Sequence, residues 1–203
     1  FERMTAAVTA MRVRVLEGNQ PLTELFPGVQ CQGGFTSLIA DIKCGAHREL
    51  GSPAVDGHQI ITSRQVAKLD VLDVHLLNSD HNRVYTRLHA NGTYGVDSRV
   101  VLWQDNQLVV ILFQNKLTLQ SRTVGTVKVE EVLKMVTAGT ALQRKLQELQ
   151  ELAGTRVVVV PVFVSNQKLT VKLPPGDYGL YHYGNVDALF PSYKHRLCPR
   201  SSQ

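Results

Sequence analysis

This sequence predicts an α/β fold, and three patterns in it point that way. Residues 1–16 and 129–152 carry apolar side chains at steps of three and four, the spacing of a helix with one buried face. Residues 96–104 and 107–117 read as two β-rich runs joined by Asp105-Asn106. Residues 156–165 form an almost unbroken apolar, β-branched run, the signature of a strand covered on both faces. At 203 residues and 43% hydrophobic composition, the chain suits one core large enough to need neither disulfides nor a structural metal. No apolar run approaches the roughly 18 residues that a membrane-crossing helix requires. The composition also excludes a collagen-like fibre and wholesale disorder. The chain opens on Phe1 rather than Met, so a preceding segment is expected.

The elements follow in order. In the first helix Met4, Val8, Met11 and Val15 recur on one side, and Gly18-Asn19 ends the run. Residues 28–57 are rich in Gly and polar residues and read as loop, with a short strand expected over residues 35–42. Alternation at residues 71–76 and again at 84–88 predicts two further strands around the turn-like residues 78–82. Asn91-Gly92 is a strong turn signal, and the 96–117 hairpin follows. The second helix is expected over residues 129–152, with a break near Gly139 and a C-terminal stop at Gly154. The buried strand 156–165 comes next. From Pro174 onward the chain is aromatic, Gly-rich and Pro-rich, and is expected to be irregular. The domain organisation is therefore an α/β domain over residues 1–173 and an aromatic, basic extension over residues 174–203 that packs on it.

Lys and Arg number 22 against 17 Asp and Glu, a formal net charge of +5. A basic surface favours phosphate-bearing partners, because neutralised phosphates release their counterions. Within the extension, Tyr193, Lys194 and Arg196 interleave an aromatic ring with cations, a composition suited to stacking bases and holding phosphates. The competing expectation is that the extension's aromatics pack over the sheet. Cys31, Cys44 and Cys198 make an odd count with no CxxC pair, so reduced thiols in an intracellular compartment are expected. No His lies at zinc-ligand spacing from a Cys pair. Asp80-His81-Asn82 reads as a turn, and the Gly and Ser residues lie in neither a phosphate-binding loop nor a nucleophile-elbow frame.

The hairpin carries the candidate chemistry. With Asp105-Asn106 as a two-residue turn, Gln104 pairs with Gln107, and counting outward sets Asp97 opposite Gln114. Directly opposed side chains have Cβ atoms about 4.5–5.5 Å apart, and Lys116 follows Gln114 on the same face by the period of two. Residues 109–113 are all apolar, so this polar group stands at the end of a central strand, where it must be paired or solvated in a cleft. A carboxylate and an amide oxygen can hold a hard cation such as Mg²⁺. An ammonium beside them can orient water or stabilise charge on a phosphorus centre. The alternative is a purely structural polar cluster, with Asp97 paired to Lys116 and Gln114 capping a loop.

These residues resemble the PD-(D/E)XK nuclease superfamily, the restriction-endonuclease-like fold, whose core runs helix, three-stranded meander, helix, strand. Asp97 within Gly95-Val96-Asp97 is similar to its acidic-strand motif, Gln114-Asn115-Lys116 to its Q-x-K variant, and Glu2 to the Glu on its first helix. The resemblance covers residues 1–17 and 95–165, with the intervening strands as an insertion. It implies metal-dependent phosphodiester hydrolysis of DNA, or of RNA, with Asp97, Gln114 and Glu2 at a Mg²⁺ or Mn²⁺ site and Lys116 serving the nucleophile or the transition state. The Q-x-K form also occurs in Crinkler-type secreted effectors. Gln114 in place of an acid removes a negative charge and lowers the expected cation affinity. A catalytically inactive module that binds nucleic acid or a host protein is therefore the alternative. Nucleic acid is the expected partner and a nuclear location is compatible with it.

Overall fold

A computed structural model describes residues 2–15, 20–36, 43–44, 59–61, 85–89, 97–104, 107–117, 125–153 and 156–191. The first helix, α1, is Glu2–Val15. Met4 and Val8 are one turn apart and pack into the main apolar core. Thr5 and Thr9, on the neighbouring stripe, are fully buried. Burying a hydroxyl is costly without a partner, and Thr9 Oγ1 meets that need by donating to the Thr5 carbonyl one turn back, at 3.0 Å.

Strand β1 (Gln20–Pro21) and a 3₁₀ turn (Leu22–Leu25) follow, then β2 (Gln30–Gln32), β3 (Lys43–Cys44) and β4 (Gln59–Ile61). The meander is β5 (Tyr85–His89), β6 (Ser98–Gln104) and β7 (Gln107–Lys116). Helix α2 (Val129–Ala153) and strand β8 (Arg156–Ser165) complete the central unit, followed by β9 (Tyr178–Tyr181) and a single turn, α3 (Val186–Leu189). The main sheet has the order β2-β9-β8-β7-β6-β5-β4. The meander strands pair antiparallel, whereas β7, β8 and β9 run parallel. This is a mixed α/β architecture. Among the described residues no helix is long and apolar enough to cross a membrane.

The two helices cover opposite faces. Val109, Ile111 and Phe113 point into the core that holds Met4 and Val8 of α1. On the other face Val132 and Met135 of α2 pack with Phe163, Tyr178 and Leu180. Residues 109–113 are buried without exception, and so is every residue of β8 after Arg156, as a strand covered on both faces requires.

Helix α2 is continuous through Gly139, where a break was expected. A Cβ at that position would lie 3.0 Å from Cγ of Pro161, so the glycine lets the helix approach the sheet. Pro161 itself sits inside a central strand, normally an unfavourable place for a residue without an N–H. Gln143 of α2 explains the tolerance. Its Nε2 donates to the Val157 carbonyl at 2.9 Å and its Oε1 accepts from the Val159 N–H at 2.6 Å. Strand β9 takes over only from Val162. Pro161 shares the hydrogen-bonding side of Val159 by strand alternation, and falls in the gap between these two partners.

The stretch after Pro174 departs from the irregular chain expected there. Strand β9 lies inside the sheet, between β2 and β8, with all four residues buried. Gly179 makes that possible, since a Cβ there would come within 2.8 Å of Val29 Cγ2 and 3.0 Å of Phe35 Cε1. Phe35 and Thr36 are helical, not extended. The alternating run at residues 71–76 and the turn at 78–82 lie outside the described residues, and the second alternating run is β5. Arg12 ties the two ends of the chain together, donating to the carbonyls of Leu25 (3.2 Å) and Leu189 (2.9 Å) at the ends of the 3₁₀ turn and α3. Burial lowers the pKa of its guanidinium.

Candidate active site

Antiparallel β6 begins where β7 ends, and β8 ends beside it in parallel. One end of the sheet thus gathers the start of β6 with the finishes of β7 and β8. The buried polar residues of the described structure lie there: Ser98 and Arg99 on β6, Gln114 and Asn115 on β7, Ser165 at the end of β8 and Asn166 after it, and Thr5 on α1. Only Thr9 stands a turn away from this group. The carboxyl ends of parallel strands are where open α/β sheets place their ligands.

The hairpin register is the one read from the turn. Gln104 pairs with Gln107 and Ser98 with Phe113, while Asp105 and Asn106 lie outside the described residues. Asp97, one step beyond Ser98, donates its N–H to the Phe113 carbonyl at 2.8 Å. Its Oδ2 accepts from Gln114 Nε2 at 2.9 Å and from the backbone N–H of Asn115. Asp97 and Gln114 therefore meet. Hydrogen bonds to a carboxylate from an amide and a main-chain N–H are of the charge-assisted, stronger kind.

Lys116 takes a different partner from the Asp97 considered for it. Its Nζ lies 3.6 Å from Glu131 Oε1 in the first turn of α2. This agrees with the alternation, because Gln114 and Lys116 point toward the α2 face. Lys116 keeps 39% of its side chain exposed, so it remains within reach of solvent and of a ligand. An ion pair this open is worth no more than about 1 kcal/mol.

Asn115 points the other way. Its Oδ1 accepts a 2.7 Å hydrogen bond from Thr5 Oγ1, which places α1 on the face opposite Lys116 and its amino-terminal turn at the polar end. Glu2 belongs to that turn. The helix carrying Glu2 and the side chain of Lys116 are thus on opposite faces of the sheet.

Arg99, Asn115, Thr5 and Glu131 entered no sequence expectation. Arg99 had a usable signal, since it is two residues from Asp97 and so shares its face by alternation. Thr5 and Glu131 had none, because what brings them here is packing of helices far away in sequence. Tyr193, Lys194 and Arg196 lie outside the described residues. The aromatics before them are packing groups: Tyr178 and Tyr181 are fully buried and their hydroxyls donate to the carbonyls of Pro174 and Pro27 at 3.0 and 3.1 Å. Burial pushes the Tyr178 phenol up to about 12 and raises that of Tyr181 as well. Burial also lowers the pKa of His182, which follows β9, and its Nδ1 accepts from the Gly184 N–H at 3.1 Å. Cys31 is a free thiol.

Among the described residues no three His, Cys, Asp or Glu side chains cluster as a metal cage. Among the described residues the oxygen donors at the polar end are the Asp97 carboxylate, neutral amides and hydroxyls, with the Glu131 carboxylate paired to Lys116. That set is wrong for zinc, which takes nitrogen and sulfur. It fits Mg²⁺, which keeps several waters and needs only one or two carboxylates together with substrate phosphate. No family model matches the chain, and no curated protein or solved structure matches it either.

Proposed function

We propose that this domain is a PD-(D/E)XK-like nuclease that hydrolyses phosphodiester bonds of DNA, or of RNA, with Mg²⁺ or Mn²⁺. The observation that carries the reading is the Asp97–Gln114 pair at the polar end of a central strand, with Lys116 on the same face. The order of elements supports it. Helix α1, the β5-β6-β7 meander, α2 and the parallel strand β8 follow the sequence of parts in the restriction-endonuclease-like core.

In this reading Asp97 and Gln114 hold the cation, with Glu2 as a further carboxylate from α1. When bound, such an ion polarises the phosphoryl oxygen and lowers the pKa of water. The chain's own groups do the rest. Asn115 N–H and Gln114 Nε2 fix the Asp97 carboxylate. Lys116, tethered by Glu131 yet half open to solvent, orients the attacking water or stabilises the charge that builds on the phosphorus oxygens. The basic surface draws the polyanion, with Tyr193, Lys194 and Arg196 assigned to the nucleic acid. The reading suits a reducing, intracellular setting where nucleic acid is accessible, the nucleus included.

A specific observation favours a second reading. Asp97 Oδ2 already accepts two hydrogen bonds within the protein, and an amide stands where an acid would bind a cation more tightly. An inactive module of the same fold, binding nucleic acid or a host protein as a Crinkler-type effector would, needs no more than this. Plasmid cleavage with Mg²⁺ or Mn²⁺ separates the two. The nuclease reading expects cleavage by the wild type and a loss of about 10²-fold or more in Asp97→Ala and Lys116→Ala. Equal rates in all three proteins would end it, and cation-independent gel shifts would then favour the binding module.

A further inference from the structure

Asn115 is the middle residue of Gln114-Asn115-Lys116, and its side chain lies on the face away from its neighbours. Its position is nonetheless not independent of theirs. The main-chain N–H of Asn115 donates to Asp97 Oδ2, and its Oδ1 accepts from Thr5 Oγ1 at 2.7 Å. Thr5 belongs to a turn of α1 that is itself ordered by the Thr9 hydroxyl on the Thr5 carbonyl. Both Thr5 and Asn115 are buried. A residue placed at 115 for packing alone would be apolar, since Asn115 Nδ2 is buried with no partner and such an atom costs about 1–3 kcal/mol.

We infer that Thr5 and Asn115 are positioning residues for Asp97: α1, from behind the sheet, fixes the peptide at 115 and so aims the carboxylate on the opposite side. The inference rests on the nuclease reading for what Asp97 does, and on geometry alone for what holds it. Neither Thr5 nor Asn115 touches the reacting groups. Their effect passes through one main-chain N–H, as outer partners of a metal ligand orient it.

The variants are Thr5→Val, which keeps the shape and removes the hydroxyl, Thr5→Ser, which restores it, and Asn115→Ala, which keeps the main-chain N–H. Three readouts are taken on the folded protein: the affinity for Mn²⁺ alone by calorimetry, the amide proton resonance of Asn115 by NMR, assigned with Asp97→Asn, and the kinetics of DNA cleavage. Thr5→Val and Asn115→Ala are expected to weaken Mn²⁺ binding by about 10-fold. The resonance of residue 115 should move upfield as its bond to the carboxylate loosens. DNA cleavage should lose kcat with KM unchanged, and Thr5→Ser should restore all three. An unchanged resonance and affinity in Thr5→Val overturn the inference. If the wild type neither binds Mn²⁺ nor cleaves DNA, the nuclease reading falls, and the resonance alone decides whether Thr5 positions the carboxylate.

Discussion

The body of the sheet and its polar end handle buried polar atoms in opposite ways. In the body, buried and half-buried polar side chains serve the backbone. Gln143 completes the β8 edge at Val157 and Val159, Arg12 caps the carbonyls of Leu25 and Leu189, and Tyr178 reaches the Pro174 carbonyl. At the end, side chains also bind one another, Gln114 to Asp97 and Thr5 to Asn115, and Ser98 Oγ, Asn115 Nδ2 and Gln167 Oε1 are buried with no partner in the described structure. Folded proteins satisfy nearly all such atoms, and the exceptions gather where a function or a bound molecule accounts for them. The contrast is what singles out the end of the sheet, and not its body, as the place for the proposed site.

Along β7 the boundary between the two regions falls between Phe113 and Gln114, and the largest expected effect lies on its apolar side. Phe113 is fully buried in the α1-side core, its ring 6.4 Å from that of Phe26. Phe113→Ala removes that contact and leaves a cavity, at a cost of about 3–5 kcal/mol. In urea titrations the midpoint should fall steeply, and the protein should be marginal at 37 °C. Comparable stability of Phe113→Ala and wild type would mean that the core does not extend to the edge of the site.

How legible this was in the sequence follows the same boundary. Residues 109–113 and 156–165 announce their strands because burial on both faces leaves no choice but hydrocarbon. The Asp105-Asn106 turn then fixes the register by counting, which brought Asp97 to Gln114. Strand β9 escaped notice for a physical reason. Four residues buried on every side have no alternation, and Gly179 looks like loop until Val29 and Phe35, far away in sequence, are seen to need its missing Cβ. The partners of Lys116 and Asn115 were hidden likewise. Glu131 and Thr5 arrive on helices whose placement over the sheet no local pattern states. The loop-like Gly139 misled in the other direction, because its role is closeness to Pro161 and not a break in the helix.

A middle-sized effect tests whether polar groups in the body really serve the backbone. Gln143→Ala would strip the Val157 carbonyl and the Val159 N–H of their partners beside a proline that cannot help. The expected loss is about 1–3 kcal/mol, readable as a lower unfolding midpoint. Hydrogen exchange should sharpen the result, with the Val159 amide exchanging far faster while those of β7 residues 110–112 keep their protection. Uniform loss of protection across both strands would show that Gln143 acts by packing and not by replacing a missing strand.

The smallest effect concerns β9, the strand that takes the place of the irregular chain expected after Pro174. Tyr178 and Tyr181 are both held protonated by burial, Tyr178 up to about 12. In the unfolded chain a tyrosine loses its proton near pH 10. A folded-state value above the unfolded one means that the native state keeps its proton longer, so the stabilising contribution is complete below pH about 10 and declines as the pH rises toward 12. Unfolding free energy measured from pH 8 to 11 should therefore fall in the wild type and fall less in Tyr178→Phe, although that variant starts lower for want of the bond to the Pro174 carbonyl. Ultraviolet titration of the folded protein should show these two phenols ionising above the ordinary tyrosine range. Tyr178→Phe should leave Mn²⁺ binding untouched, since Tyr178 stands one step before Gly179, which is level with Val162 and Phe113, and so lies on the body side of the boundary. A weakened cation affinity in that variant would move the boundary drawn at Gln114 and make the C-terminal strand part of the site.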